Sequence, residues 1–264
     1  ANLPQGKYIV PLATKPLWFP AQEYRAPNII YIYDDFAKNA ANITSVNIKV
    51  ASHLDKKYQV SNVVGYAPAN RATDSFVVIT AHYDHIGMMG RKAIFPGASD
   101  NASGTAMLLN LAKYYKENPA QYNVLFIACA AEEAGLLGSY YYANHPLLPL
   151  KDIRFVVNLD IWGDATNGVA VVNGKVFERE FEYVVNANKQ IGNNGVGFFK
   201  EIRKGNEAKN SDHAPFYEKG VPAFFFFTMG GPGHYHHVAD KAETLKLTNI
   251  NEAAELVRLF IQQL

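Results

Sequence analysis

The sequence predicts an α/β fold, a mixed, largely parallel central sheet with helices on both faces, and three observations predict it. Four apolar runs of strand length, at 76–80, 124–130, 153–159 and 221–227, are rich in β-branched and aromatic residues and nearly continuous, as strands buried on both faces are. Helical patterns separate these runs. Each run is followed by a charge or a histidine: His82 after the first, Glu132 and Glu133 after the second, Asp160 after the third and His236 beyond the fourth. Ligands of such sheets bind outside the carboxyl ends of the strands, so one fold would bring all of these side chains to the same rim.

The elements follow in chain order. The first 30 residues hold five prolines (Pro4, Pro11, Pro16, Pro20 and Pro27) among aromatics, which predicts an extended strap and no helix. Residues 31–75 read as leading antiparallel strands with one wet face. The text there is IIYIY (from 29), then Val46, Ile48 and Val50 alternating with polar residues, then YQVSNVVGY. Strap, leading strands and body are expected to form a single domain, 1–264. Residues 103–118 read as a helix with Met107, Leu108, Leu111, Ala112 and Tyr115 on one face and Pro119 just beyond. A further helix is expected over 135–145. Phe177, Phe181, Val184, Val185 and Ile191 mark another, which Gly192 is placed to stop. The last helix spans about 250–264, with Asn249 as expected N-cap and Glu252 three residues on.

Composition narrows the partners. With 25 basic against 24 acidic residues the net charge is near zero, so nothing favours a nucleic acid or an anionic membrane surface, and a small or peptidic partner is expected. No apolar stretch approaches the roughly 20 residues that span a bilayer. Cys129 is the only cysteine, which excludes an internal disulfide framework and a thiolate-based zinc site. It lies inside VLFIACAA and reads as a buried structural residue. Asn42-Ile43-Thr44 and Asn101-Ala102-Ser103 match the glycosylation pattern, a short and weak signal.

The chemistry concentrates between residues 76 and 104. His82, Asp84 and His85 follow the first strand, and Ser99, Asp100 and Asn101 follow a Gly/Pro loop, flanked by Gly97 and Gly104. Two clusters of potential ligands so close together predict a hydrolytic metal site at the edge of the sheet. Imidazoles and carboxylates without thiolates suit zinc. Two metals about 3.5 to 4 Å apart, bridged by a shared carboxylate, would need five ligating residues. Two adjacent glutamates let one ligate while the other accepts a proton, although such a pair taken alone is a solvated turn. Phe224 to Phe227 read as core, with Phe227 a candidate for a pocket wall, and Tyr140 to Tyr142 read as packing and surface.

AHYDHIG (81–87), GASDNASG (97–104), EEAGLLGS (132–139), NLD (158–160), SDHAPF (211–216) and YHHVAD (235–240) resemble, in this order, the M28 family of zinc aminopeptidases and related exopeptidases. The resemblance runs from about residue 60 to the end; the other common zinc-peptidase pattern, HExxH, is absent. It implies a zinc held by His82, Asp100 and Asp160 and a second held by Asp100, Glu133 and His236, with Asp100 bridging. It implies Glu132 as general base, Asp84 orienting His82 through its other ring nitrogen, Tyr235 donating to a tetrahedral oxyanion, and a cis peptide between Asp100 and Asn101. The implied protein is a two-zinc exopeptidase, foremost an aminopeptidase taking peptides with a free N-terminus. It is expected to be exported, which the absence of an initial methionine fits.

YHHVAD departs from the family in having His237 where Thr is frequent and Val238 where Pro is common. His236 keeps the four-residue spacing to Asp240 and is read as the ligand. His85, His213, His234 and His237 are expected at the rim or behind the ligands. Two other readings stand beside the peptidase: a glutaminyl cyclase-like transferase with a single zinc, against which the HxD motif argues, and a non-catalytic binding ectodomain on the same fold.

Overall fold

A computed structural model describes residues 7–11, 28–32, 38–42, 44, 45, 47, 49 and 53–264. The chain forms two compact units, 1–59 and 60–264. In the first, strands β1 (Lys7–Pro11) and β2 (Asn28–Ile32) pair in parallel, Lys7 opposite Asn28. The expected strap therefore carries a strand, and its partner runs parallel where an antiparallel pairing was expected. Parallel partners need a crossover and not a tight hairpin. Asn47 and Lys49 are not in a strand; Val46, Ile48 and Val50 lie outside the described residues.

The second unit is built on β3 (Val63–Ala67), β4 (Phe76–His82), a hairpin of β5 (Gly87–Met89) and β6 (Ala93–Phe95), then β7 (Asn123–Cys129), β8 (Ile153–Leu159), β9 (Val169–Val172), β10 (Ile202–Lys204) and β11 (Ala223–Thr228). Seven of these form one sheet in the order β10-β9-β11-β8-β4-β7-β3. The four central strands β7, β4, β8 and β11 are parallel neighbours. β3 joins β7 and β9 joins β11 antiparallel, so the sheet is mixed and largely parallel, as the apolar runs predict.

Helices α1 (Ser103–Glu117), α2 (Leu137–Asn144), α3 (Glu178–Ile191), α4 (Ala214–Glu218) and α5 (Ile250–Gln263) cover both faces. Successive side chains of a strand point to opposite faces. Val77 and Ile79 of β4 and Phe224 and Phe226 of β11 thus join Leu111, Val184, Val257 and Phe260 in one core. Val78, Leu125, Ile127 and Cys129 face the other way, onto Tyr142 of α2 and Phe216 of α4. Among the described residues no helix is long and apolar enough to cross a membrane.

One helix begins differently from the expectation. Asn249 precedes α5 in the left-handed region, φ 57°, and its side chain makes no capping bond. Asn tolerates that conformation, and its carbonyl accepts the N–H of Ala253 to start the helix.

Phe260 is fully buried, with ring centroids 5.4 Å from Phe155, 5.7 Å from Phe224 and 5.6 Å from Phe226. Phe260→Ala should cost about 3 to 5 kcal/mol in equilibrium urea unfolding. A loss below 1 kcal/mol would show that α5 does not anchor this face.

Candidate metal centre

The carboxyl ends of the central strands meet at one rim. His82 is the last residue of β4, and Asp160 directly follows β8. Glu132 and Glu133 follow β7, and His236 lies beyond β11. Asp100 sits in the tight turn Ala98–Ala102 ahead of α1, and its peptide bond to Asn101 is cis. Three non-glycine residues at this rim have positive φ: Ala131 at 54°, Ile161 at 53° and His236 at 50°. Each is, or adjoins, one of the polar residues at the rim. Such backbone is disfavoured for residues with a Cβ and persists where surrounding contacts impose it.

The chain brings His82, Asp100, Glu133, Asp160 and His236 together. Nε2 of His82 lies 3.3 Å from Oδ1 of Asp100 and 3.3 Å from Oδ1 of Asp160. Nε2 of His236 lies 3.3 Å from Oδ2 of Asp100 and 3.0 Å from Oε2 of Glu133. The two oxygens of Asp100 thus face different histidines. All five side chains are buried. Two triads, His82–Asp100–Asp160 and His85–Asp100–Glu133, each present one ligand atom per residue within 4.8 Å of one another.

Burial of so many carboxylates sets the electrostatics. Burial opposes the charged form of His82, but Asp160 and Asp100 outweigh it and raise its pKa well above the ordinary value. His236 is likewise disfavoured by burial, yet Asp100 and Glu133 push it up to about 10. Burial works against ionisation of Asp100, but contacts with His236 and His82 hold its carboxyl below the usual range. Glu133 is lowered for the same reason, by His236 and His85 against its burial. Glu132 is pushed up to about 9, chiefly by burial, which the nearby His82 opposes and to which Asp160, Asp212 and Glu133 add.

Groups around these side chains hold them in place. Nδ1 of His82 meets the main-chain carbonyl of Asp84 at 3.1 Å, whereas the Asp84 carboxylate is 3.8 Å away. That carboxylate instead accepts the N–H groups of Glu132 at 3.0 Å and Glu133 at 3.2 Å. Asp84 therefore reaches His82 through its backbone and the glutamate pair through its side chain, a division its spacing in HxD does not reveal. Ser211 donates to Oδ2 of Asp160 at 2.6 Å, the amide of Asn158 donates to Ser211 at 2.8 Å, and Thr80 donates to Asn158 at 2.7 Å. Asp240 accepts the N–H groups of Ser99 and Asp100 at 2.9 and 3.1 Å, fixing the turn that carries Asp100.

Sequence reasoning assigned no role to Thr80, Asn158 or Ser211 and used Asp240 only for spacing. The signal of Thr80 and Asn158 was a polar residue inside an apolar strand, since a buried hydroxyl or amide demands a partner; Ser211 and Asp240 lie outside the strands and carried no such signal. Asn101 is buried, its amide donating to Leu159 and accepting from Gly104 and Ile161, so the glycosylation pattern there is sealed inside the fold. Tyr235 is 46% exposed and stacks on His236 with centroids 3.9 Å apart. Burial and the neighbouring carboxylates raise its phenol above the ordinary value. His234 meets the carbonyl of Ala239 at 2.8 Å, and Nδ1 of His237 accepts the N–H of Ala239 at 3.0 Å. Cys129 is fully buried.

The donor set suits a small divalent cation. It offers imidazole and carboxylate, and buried oxygens of Asp100 and Glu133 lack a hydrogen-bond partner.

Comparison with known proteins gives a consistent relationship. The model of peptidase family M28 matches residues 62–261. Aminopeptidase YwaD of Bacillus subtilis is 30% identical over 206 residues, which cover 74% of this chain and 43% of the relative, so the chain spans less than half of that protein's length. A solved zinc aminopeptidase from Bacillus subtilis superposes with a TM-score of 0.62 at 28% identity, over 76% of this chain and 49% of the other. A Bacteroides thetaiotaomicron glutaminyl cyclase superposes with a TM-score of 0.64 over 77% of both chains at 19% identity, a likeness of fold alone.

His213 gives this region a pH signature. It is buried against Phe225 with Nε2 2.8 Å from the carbonyl of Ala208, and burial lowers its pKa from 6.5 to about 4. The folded value lies below the unfolded one, so its contribution is full above pH 6.5 and is lost as pH falls toward 4. Urea unfolding of metal-free protein should show up to about 3 kcal/mol of this loss abolished in His213→Gln. Identical acid dependence in both proteins would assign the effect elsewhere.

Proposed function

The chain belongs to peptidase family M28, and from that premise we propose that it is a two-zinc aminopeptidase. The observation that carries the reading is the placement of Asp100 between two histidines, Oδ1 at 3.3 Å from His82 and Oδ2 at 3.3 Å from His236. His82, Asp100 and Asp160 would hold one zinc, and Asp100, Glu133 and His236 the other. Zinc held there would polarise the scissile carbonyl, activate the attacking water and favour the carboxylate form of Glu132.

Glu132 then takes the proton from the water as its oxygen adds to the carbonyl carbon. It hands that proton to the amine nitrogen as the C–N bond breaks. Asp84 keeps Glu132 and Glu133 on their course by accepting both of their N–H groups. Tyr235, its phenol kept protonated by burial and the surrounding carboxylates, donates to the developing oxyanion. The substrate is a peptide with a free N-terminus, and export from the cell belongs to the same reading; family resemblance supports both.

The cyclase reading, with a single zinc, leaves the His82 and Asp160 half of the site without a task, although both are buried and held by partners. Calorimetric titration of chelator-stripped protein should find two zincs per chain. One tight zinc would favour the transferase, and none would leave a binding module. Glu132→Gln should keep both zincs and lose about 10²- to 10⁴-fold in turnover of free-amine peptides. Near-normal turnover in that variant would remove Glu132 from the mechanism.

A further inference from the structure

We propose that His85 is a ligand of the second cation site, so that His85, Asp100, Glu133 and His236 converge there while His82, Asp100 and Asp160 hold the first. The inference rests on the two-metal reading above.

His85 projects from the loop that follows β4, and its side chain is 8% exposed. Its Nδ1 lies 2.7 Å from Oε1 of Glu133 and 3.9 Å from Oδ2 of Asp100. Yet neither ring nitrogen of His85 makes a hydrogen bond of acceptable geometry, and Oε1 of Glu133 and Oδ2 of Asp100 are likewise without one. Buried polar atoms that approach so closely without pointing protons at one another behave as ligands around a common centre. Donors 2.0 to 2.2 Å from one zinc lie about 2.8 to 3.6 Å from each other; the two His236 separations, 3.3 and 3.0 Å, fall in that range, and those of His85, 2.7 and 3.9 Å, lie on either side of it.

The surroundings fit the same reading. The rings of His85 and His236 meet edge to face, 5.7 Å apart at 77°, so both imidazoles can aim a nitrogen at one point without colliding. Glu133 turns Oε1 toward His85 and Oε2 toward His236. The ring of His85 is seated against Gly97, whose φ is +67°. A Cβ at 97 would stand 2.6 Å from Cγ and 2.8 Å from Cδ2 of His85, and 2.6 Å from the carbonyl oxygen of Asp100. Glycine is thus required both for the left-handed turn and for the space the imidazole occupies.

The consequence is an asymmetric pair. Four protein donors close a tetrahedral site, whereas three leave a position free. The first site would then keep the open position for water, and the second would be the more permanent holder of metal.

The test is cadmium-113 NMR on the ¹⁵N-labelled full chain loaded with two equivalents of cadmium. Three imidazole nitrogens should show scalar splitting from cadmium, and the splitting absent in His85→Gln assigns the third to His85. Two bound cadmiums with only His82 and His236 split would overturn the proposal and reduce His85 to a hydrogen-bonding neighbour of Glu133. Failure to bind cadmium at all would overturn the two-metal reading with it.

Discussion

The structure depends on keeping several carboxylates together out of water. Asp100, Glu133 and Asp160 are buried, Glu132 is close by, and Asp212 is fully buried beneath them with its carboxyl pushed up to about 6 by that burial. Like charges in a dry site repel and resist ionisation unless cations accompany them. In the protein alone His82 and His236 carry the compensating charge, as the upward displacement of both imidazoles records. A pair of divalent cations would do so more completely, and the arrangement of oxygens is one that such cations would use.

The holders of the site follow from the same constraint. Asp84 and Asp240 are acidic side chains as well, yet each directs its oxygens to main-chain N–H groups, those of Glu132 and Glu133 and those of Ser99 and Asp100. Hydrogen bonds from main-chain N–H groups are directional, and they fix the backbone that carries a neighbouring side chain. Asp160 is fastened differently, through Ser211, Asn158 and Thr80 across β8 and β4. The His82 half is thus tied into the sheet, whereas His85 and His236 lie on loops, the one against Gly97 and the other against Tyr235.

The sheet makes this convergence possible. Parallel strands end at one edge, so side chains from segments far apart in the sequence arrive within hydrogen-bond reach. His82 and Asp160 are separated by 78 residues and meet at 3.3 Å. The sharp left-handed turns at Ala131, Ile161 and His236 direct the chain at this edge. Two helical layers seal the faces and leave the rim as the place where polar side chains collect.

The sequence by itself determined the central strands, the helices between them and the residues gathered at the rim. Those are local signals: an apolar run of strand length, a 3.6-residue period, and a charge where a core residue would otherwise stand. It also offered five ligand candidates, because His82, Asp100, Glu133, Asp160 and His236 stand in motifs that resemble those of a known family. Only the tertiary structure decided what the second layer does. Asp84 reaching two N–H groups, Asp240 binding a turn 140 residues away and Ser211 linking Asp160 to Thr80 depend on distances across strands and loops. The place of His85 belongs to the same class, since an imidazole three residues past a strand is a rim residue until Gly97 and Glu133 are seen beside it. The parallel pairing of β1 with β2 was hidden too, because alternation records which face is wet and carries no information about strand direction.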